Sequence, residues 1–489
     1  MVLRSLISER SLIFVALMFC LIPPDAHAGH GDREAAALAA VPEQYAGSTA
    51  SAPLSEDVWW QTFGVGELDQ IVWAGLEANP DLLTAERQLA QAQALAAQGL
   101  AALLPSVSLS GSLNGQPLEA QTFFFDFPSG AEVNGNVWTG NAGVNASWNI
   151  DLWGANLLNF LAGRQDALAA AHNTTARRLT ISTSIANAWF DVVYHQARLE
   201  TIMEQVALSE SLLELTEFRY ERGEAAALNV LQQRQQLQTT QALLPQSRAL
   251  LRIAEMQLAV LLGRRPEASP TVLVTALPDV PPTPSTGQPG DLVTRAPGVL
   301  AAQAQLASAE HLQRAALRLT MPQLALSAAY GPQYRYEAEG LLWDDFDDDI
   351  NSASFWSAGG QLSWPIFNGG SAYNTYRAAV AGADAARYSL ESAALAALQQ
   401  VEGALVLEEE RALLREAVEA QRDAARLSLQ AAQDQYQTGQ TTFIPVLSAQ
   451  QTMLQAELSA LQAHRDQIDA RIQLYSALGA ATSAQGSTP

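Results

Sequence analysis

The chain has 489 residues, 48% of them hydrophobic and only 16% charged, with a formal net charge of −23 at pH 7. That acidity excludes nucleic acid as a partner, because little here would neutralise a run of phosphates. A single cysteine, Cys20, excludes an internal disulfide framework, and every basic residue is arginine, since no lysine occurs.

At the start, Arg4 and Arg10 precede an apolar run from Leu12 to Ile22, and Ala26-His27-Ala28 follows with the spacing of a cleavage site. Residues 1–28 therefore read as an export signal, too short to span a bilayer. Cleavage after Ala28 leaves the mature chain without a thiol. A lipoprotein signal would instead make Cys20 the lipidated first residue, although Phe19 stands where a small residue is usual. Beyond the signal no run of 18 or more apolar residues exists, so any membrane crossing falls to a β-barrel. Residues 29–60 are weakly patterned.

Helical periodicity covers Leu68 to Leu104 and is interrupted near Asn79-Pro80. A strand at about 106–116 sets Val107, Leu109 and Leu113 opposite four serines, and Phe123 to Gly130 forms a loop. The next strand, about 137–149, is the most informative stretch. Trp138, Ala142, Val144, Ala146, Trp148 and Ile150 alternate with Thr139, Asn141, Asn145, Ser147 and Asn149, which gives one oily and one wet face. Tryptophan marks both ends of a span close to the ~9–11 residues that a tilted strand needs to cross a membrane. An edge strand of a soluble sandwich is the alternative, and it needs a second sheet over the oily face. After Gly154 the period turns helical up to Arg222, about 100 Å at 1.5 Å per residue. Gly223 marks a turn, and a return helix follows to Gly263. Ile185, Val192, Leu199, Val206 and Leu213 recur by sevens, as do Val230, Leu237, Leu244, Leu251 and Leu258. That beat predicts an antiparallel coiled-coil hairpin over 155–263, which Pro245 should kink or end locally.

A Pro- and Ser-rich linker, 264–290, then leads into a second copy of the same plan. Gly154 pairs with Gly370, Tyr220 with Tyr436, Gly223 with Gly439, Val230-Leu231 with Val446-Leu447, and Leu262-Gly263 with Leu478-Gly479, always 216 positions apart. A constant offset over such a distance means an internal duplication: residues 61–263 and 291–479 are two structural repeats. In the second, strands fall at about 323–335 and 354–364, and a hairpin spans 370–479 with its tip near 439, ahead of a tail, 480–489. Leu447, Leu454, Leu461 and Ile468 carry its seven-residue beat. Trp356 and Trp364 join Trp138 and Trp148 as membrane-interface aromatics. Four strands are too few to close a barrel, so their open edges must pair with further copies of the chain.

Chemistry-bearing motifs are scarce. Trp343 to Ile350, WDDFDDDI, crowds five carboxylates on the loop between the last two strands, without the glycine and terminal Glu of a calcium loop. It reads as solvated surface, with loose cation or headgroup bridging as the other option. The histidines (His27, His30, His172, His195, His311 and His464) lie far apart, so no metal site is expected. Nothing matches a nucleophilic triad, a phosphate loop or a dinucleotide fingerprint. No cofactor and no enzymatic activity are expected.

The segment Val58 to Val72, the junction ASWNIDLWG (Ala146 to Gly154) and the turns RYERGEAAALNVLQQRQQ and QYQTGQTTFIPVLSAQQ together resemble the TolC-like outer-membrane efflux family. The junction is most similar to the NodT/OprM-like branch, which serves resistance-nodulation-division pumps. The resemblance covers about Ser55 to Gly479. It implies an α+β membrane protein: a homotrimer whose twelve-stranded outer-membrane barrel continues into a long periplasmic α-helical barrel, with 29–60 as an N-terminal periplasmic segment. It further implies a periplasmic adaptor and an inner-membrane pump as partners, besides outer-membrane lipid.

By that likeness the hairpin ends carry adaptor contact and gate: Tyr220, Arg222, Gly223, Asn229 and Gln232 in one repeat, Tyr436, Gly439, Thr441, Pro445 and Ser448 in the other. The chain departs from its relatives there. Asn229 and Gln232, like Pro445 and Ser448, replace an acidic ring, and Thr441 stands where a basic residue is usual. Tyr436 is expected to hydrogen-bond Asn229. The implied function is an exit duct for small molecules (drugs, toxic organics or metal ions). The exit of a type I protein secretion system is the alternative within transport, and a non-channel coiled-coil envelope protein is the alternative outside it.

Overall fold

The computed structural model describes residues 30–39, 41–42, 45, 58–117, 134–340 and 350–479. The signal with Cys20, the loop at Phe123 to Gly130, the acidic loop from Trp343 to Asp349 and the C-terminal tail lie outside them. Two compact units emerge. Of the described residues, one contains those within 91–167 and 305–386, and the other those within 31–90, 168–304 and 387–479. Among the described residues no helix is long and apolar enough to cross a membrane.

In chain order the elements are α1 (His30–Leu38), a 3-10 turn (Trp59–Phe63), α2 (Gly66–Ala78), α3 (Pro80–Ala101), β1 (Ser106–Pro117), β2 (Asn134–Ile150) and α4 (Ala155–Glu221). Then come α5 (Ala227–Gln241), α6 (Leu243–Leu261), a second 3-10 turn (Pro266–Ala268), α7 (Pro289–Arg295), α8 (Pro297–Arg318), β3 (Gln323–Gly340), β4 (Ile350–Ser363), α9 (Ser371–Gln437) and α10 (Phe443–Ala477). Helices α4 and α9 are each 67 residues long and begin 216 positions apart.

The first unit holds one antiparallel sheet in the order β1-β2-β3-β4. Trp148 Nε1 at the end of β2 donates to the Leu103 carbonyl at 3.0 Å, and Trp153 Nε1 donates to the Pro322 carbonyl at 2.6 Å. The indoles thereby bind the strand ends to the segments entering β1 and β3. Trp364 lies one residue beyond β4.

In the second unit the 3-10 turn inserts Trp59, Trp60 and Phe63 into a core with Leu68, Val72, Ile185, Trp189, Phe190, Leu258, Ile468 and Ile472. Trp60 meets Trp59 and Trp73 edge-on, with ring centroids 5.6 and 5.3 Å apart. The interruption at Asn79-Pro80 is a cap. Asn79 Oδ1 accepts from the amides of Asp81 and Leu82, and Pro80 opens α3, where an amide hydrogen is not needed. Asn79 Nδ2 meanwhile donates to the Leu261 carbonyl at 2.8 Å.

Pro245 acts as its ring requires. The return helix of the first repeat parts at Ala242 into α5 and α6, while position 461, its counterpart, is a leucine and α10 runs unbroken for 35 residues. The heptad seam needs a correction. Along α10 the buried row is Val446, Ala449, Met453, Ala456, Ala460 and Ala463, at alternating steps of three and four. Leu447, Leu454 and Leu461 fall one position off it and are only half-buried, although Ile468 is buried. Alanine at the seam allows neighbouring helices to approach closely, and the larger leucines flank it. Leu199, Leu213, Leu244 and Leu251 are likewise half-buried.

Polar layers cross this seam. Gln205 Nε2 donates to Glu457 Oε2 (2.6 Å), Gln233 Nε2 to the Ser209 carbonyl (3.0 Å), and Gln451 Nε2 to Gln236 Oε1 (2.8 Å). Such bonds fix helix register where apolar packing alone would tolerate sliding. Burial pushes the Glu457 carboxyl above its usual range, with the Gln205 bond opposing it.

The 264–290 segment is fastened along its length. Glu67 accepts from the Leu273 amide at 3.0 Å, Gln196 Nε2 donates to the Val272 carbonyl, and His464 Nε2 lies 3.0 Å from the Pro278 carbonyl. Arg471 donates to the Pro281 carbonyl, to Thr283 Oγ1 and to Glu408.

Candidate functional site: strand wall and hairpin ends

The wall is built by register. Leu109, Val144, Tyr330 and Trp356 pair in a single row across all four strands, with all four side chains on one face. Val107, Leu113, Trp138, Trp148, Leu326, Tyr334 and Leu362 extend that face. Leu109 is 81% exposed and Trp356 78%. No second sheet covers these side chains among the described residues, so the sandwich alternative loses the element it needs.

One position along, the next row is Ser108, Asn145, Ala329 and Ser357. Ser106 and Ser147 share a hydroxyl contact of 2.7 Å, and Asn145 Nδ2 donates to Ser110 Oγ at 2.8 Å. Over 106–116, 138–150, 323–334 and 352–363 neither face bears a charged residue. One surface is a broad apolar and aromatic band, and the other is mostly hydroxyls and amides, interrupted by Phe355 and by small residues. β1 and β4 each pair on one side only.

The hairpin ends belong to the other unit. Both helices stop in the same way. Gly223 N donates to the Tyr220 carbonyl and Glu224 N to the Arg219 carbonyl, and Gly439 and Gln440 repeat this with Tyr436 and Gln435. Gly223 (φ 75°) and Gly439 (φ 73°) occupy the left-handed region that this double cap requires.

The side chains are not equivalent. Tyr220 is 50% exposed, whereas Tyr436 is 4% exposed. The Tyr436 ring packs against Phe443 at 5.4 Å and beneath the Arg219 guanidinium at 4.5 Å, and Arg219 donates to the Tyr436 carbonyl. Leu212 and Val446 complete the cluster. The expected Tyr436–Asn229 bond is not formed within the chain, for Tyr436 Oη has no hydrogen-bond partner among the described residues. Asn229, Gln232 and Thr441 are half-buried, while Pro445 and Ser448 are exposed. Arg222 stacks over Phe218 at 4.1 Å.

Sequence reasoning missed Arg219 and Phe443. The signal was present in the repeat itself, whose matching positions hold Gln435 and Ala227. Arg219→Ala is expected to loosen this end by about 1–3 kcal/mol, through the lost charge-assisted bond and ring contact. Tyr436→Phe is expected to be neutral, because its hydroxyl meets no partner among the described residues. Hydrogen exchange at 432–446 reads both.

The family model described as outer membrane efflux protein matches residues 74–264 and again 289–480. The chain belongs to the outer membrane efflux protein family. It is an outer-membrane component of efflux, and the double match reproduces the offset between the repeats. It is 27% identical over 449 residues to the pyoverdine export outer membrane protein OpmQ of Pseudomonas aeruginosa, covering 90% of this chain and 91% of that one. To the toluene efflux pump outer membrane protein TtgF of Pseudomonas putida it is 27% identical over 357 residues, 70% of this chain and 71% of that protein. The solved structure of the outer-membrane channel OprN superposes with a TM-score of 0.75 at 27% identity, over 91% of this chain and 95% of that one.

Proposed function

We propose that three copies of this outer membrane efflux protein join their sheets edge to edge into one twelve-stranded barrel and form the exit duct of a tripartite system for small molecules. The carrying observation is the two-faced sheet: the apolar row through Leu109, Val144, Tyr330 and Trp356 meets lipid, and the serine and asparagine rows line water. Trp138, Trp148 and Trp364 sit at the interfaces, and Trp356, in the row of Val144 between Trp138 and Trp148, meets lipid nearer the middle. The helical unit supplies a periplasmic wall. Its ends, from Tyr220 to Gln232 and from Tyr436 to Ser448, meet an adaptor that links the duct to a pump of the resistance-nodulation-division type. The relatives' names concern small organic cargo, pyoverdine and toluene, which favours this reading over the exit of a protein secretion system.

Transport here needs no bond made or broken, since selection by width and lining suffices. Purified protein in planar bilayers is expected to give discrete, reproducible conductance steps, and cross-linking is expected to stop at three chains. A protein that enters bilayers without steps, or that remains a detergent-free soluble monomer, refutes the proposal.

A further inference from the structure

The duplication can be checked strand by strand. β1 maps onto β3 at an offset of 217, Pro105 on Pro322 and Leu109 on Leu326, while β2 maps onto β4 at 216, Trp148 on Trp364. These offsets turn the pair Leu109–Val144 of β1 and β2 into Leu326–Gly360, and Ser106–Ser147 into Gln323–Ser363. Both are pairs of β3 and β4, so the two strand pairs share one register. The junction between them, β2 on β3, has no second copy among the described strands. Its counterpart would need a β1 beside β4, and β1 stands at the opposite edge of the sheet.

Carried through the offsets, the β2–β3 junction dictates that missing ladder. Trp148–Leu326 becomes Trp364–Leu109, Ser147–Ser327 becomes Ser363–Ser110, Ala146–Ala328 becomes Leu362–Gly111, and Val144–Tyr330 becomes Gly360–Leu113. Shape supports the same register independently. Leu362 meets a glycine, and a Cβ at Gly111 would have only the Asn141 carbonyl oxygen within 4 Å, at 3.8 Å. Gly360 in turn meets Leu113. A slip of two residues either way sets Gly360 opposite Gly111 or Gly115 and leaves a hole in the apolar row. A slip of one sets Leu362 against Ser110 or Ser112.

Exposure marks the same edges. Leu109 is 81% exposed, whereas its counterpart Leu326, flanked by β2 and β4, is 37% exposed. Just past β4, Ile366 and Phe367 are exposed too, Phe367 at 82%. Within the chain, Trp153 Nε1 fastens the start of α4 to the Pro322 carbonyl. The offsets carry this bond onto Gly369 and Pro105, where no indole is available to make it.

We propose that β4 of one copy pairs with β1 of the next in this register, Trp364 on Leu109, Ser363 on Ser110 and Leu362 on Gly111, and that Ile366 and Phe367 close the base of the seam against the exposed Leu104 and Val107 in place of the indole bond. This rests on the reading that copies join edge to edge, and it adds which residues meet and what replaces the missing bond.

The test oxidises the full chain in detergent, with the unaltered protein beside it as the control for Cys20. Directly opposed Cβ atoms lie about 4.5–5.5 Å apart and diagonal ones about 7–8 Å, while a disulfide needs about 3.5–4.5 Å, so only opposed pairs come within reach. S110C/S363C is expected to give covalent dimers and trimers and nothing larger. S108C/S363C and S112C/S363C are expected to remain single chains on a denaturing gel. I366S/F367S is expected to dissociate at a lower temperature than the unaltered assembly, before helical circular dichroism is lost. Cross-linking of a shifted pair in preference to S110C/S363C, or an unchanged dissociation temperature, overturns the proposal. Bilayer recordings under reducing conditions separate the two readings. Conductance steps from S110C/S363C without cross-links on oxidation remove this seam and leave the channel, and absent steps from the unaltered protein remove both.

Discussion

Arg471→Met is expected to destabilise the helical unit by about 3–5 kcal/mol, the cost of leaving a buried charge without its partner. Arg471 is 2% exposed, and its guanidinium serves three acceptors from two parts of the chain: Glu408 on α9, and Thr283 Oγ1 and the Pro281 carbonyl in the segment after α6. Removing it orphans a nearly buried carboxylate and frees the 272–283 segment at once. The second effect distinguishes this arginine from an ordinary ion pair. Amide exchange in 272–283 should accelerate in the variant, even though Glu67, Gln196 and His464 still hold their own bonds. A control isolates the charge. E408L/R471M replaces both partners with apolar groups and should regain most of the lost stability, because a buried pair is worth far less than the penalty for half of one. Chemical denaturation followed by circular dichroism reads the first effect. A double variant no more stable than Arg471→Met would show that packing, not charge, is what the arginine supplies.

The strand faces were legible because a sheet with one apolar and one polar face writes its period into every second residue, from Val107 to Leu362. The long helices were legible for the same reason at a different period, and the duplication supplied a check on both. The hairpin seam was harder. Leucine looks like the residue to bury, yet α10 buries Val446, Ala449, Met453 and Ala456 and leaves Leu447 and Leu454 at the flank. A single helix sequence does not say which of two adjacent rows faces its own chain when both have apolar residues. The hairpin end was harder still. Tyr436 was identified, but its neighbours are Phe443 across the turn and Arg219 from the other repeat. Comparison of the two copies exposes both residues, since a duplicated frame makes every departure from it a marker: Phe443 against Ala227, and Arg219 against Gln435.

Leu109→Arg is expected to block assembly into the outer membrane, whereas Ser110→Arg, one residue along, is expected to be tolerated and to alter conduction. The two positions are adjacent on β1 but lie on opposite faces, paired with Val144 and Gly143. Arginine on the lipid side near mid-bilayer costs about 2–4 kcal/mol per chain, and three chains in one barrel would bear it three times. On the other face the same side chain stands in water among Ser108, Asn145 and Ser357, and its cost is close to zero. It brings a charge into a stretch of wall that otherwise has none over 106–116, 138–150, 323–334 and 352–363. Three guanidiniums around one lumen should repel cations, so the reversal potential in a salt gradient should move toward anion preference and unitary conductance should fall. Heat-modifiable mobility of outer-membrane fractions reads assembly, and bilayer recording reads selectivity. The pair is informative because hydrophobicity alone does not predict the split: both variants insert the same residue at nearly the same depth, and only the direction of the side chain differs. If Ser110→Arg failed to assemble while Leu109→Arg inserted and shifted selectivity, the faces would be reversed and the aromatic row from Leu109 to Trp356 would line the pore.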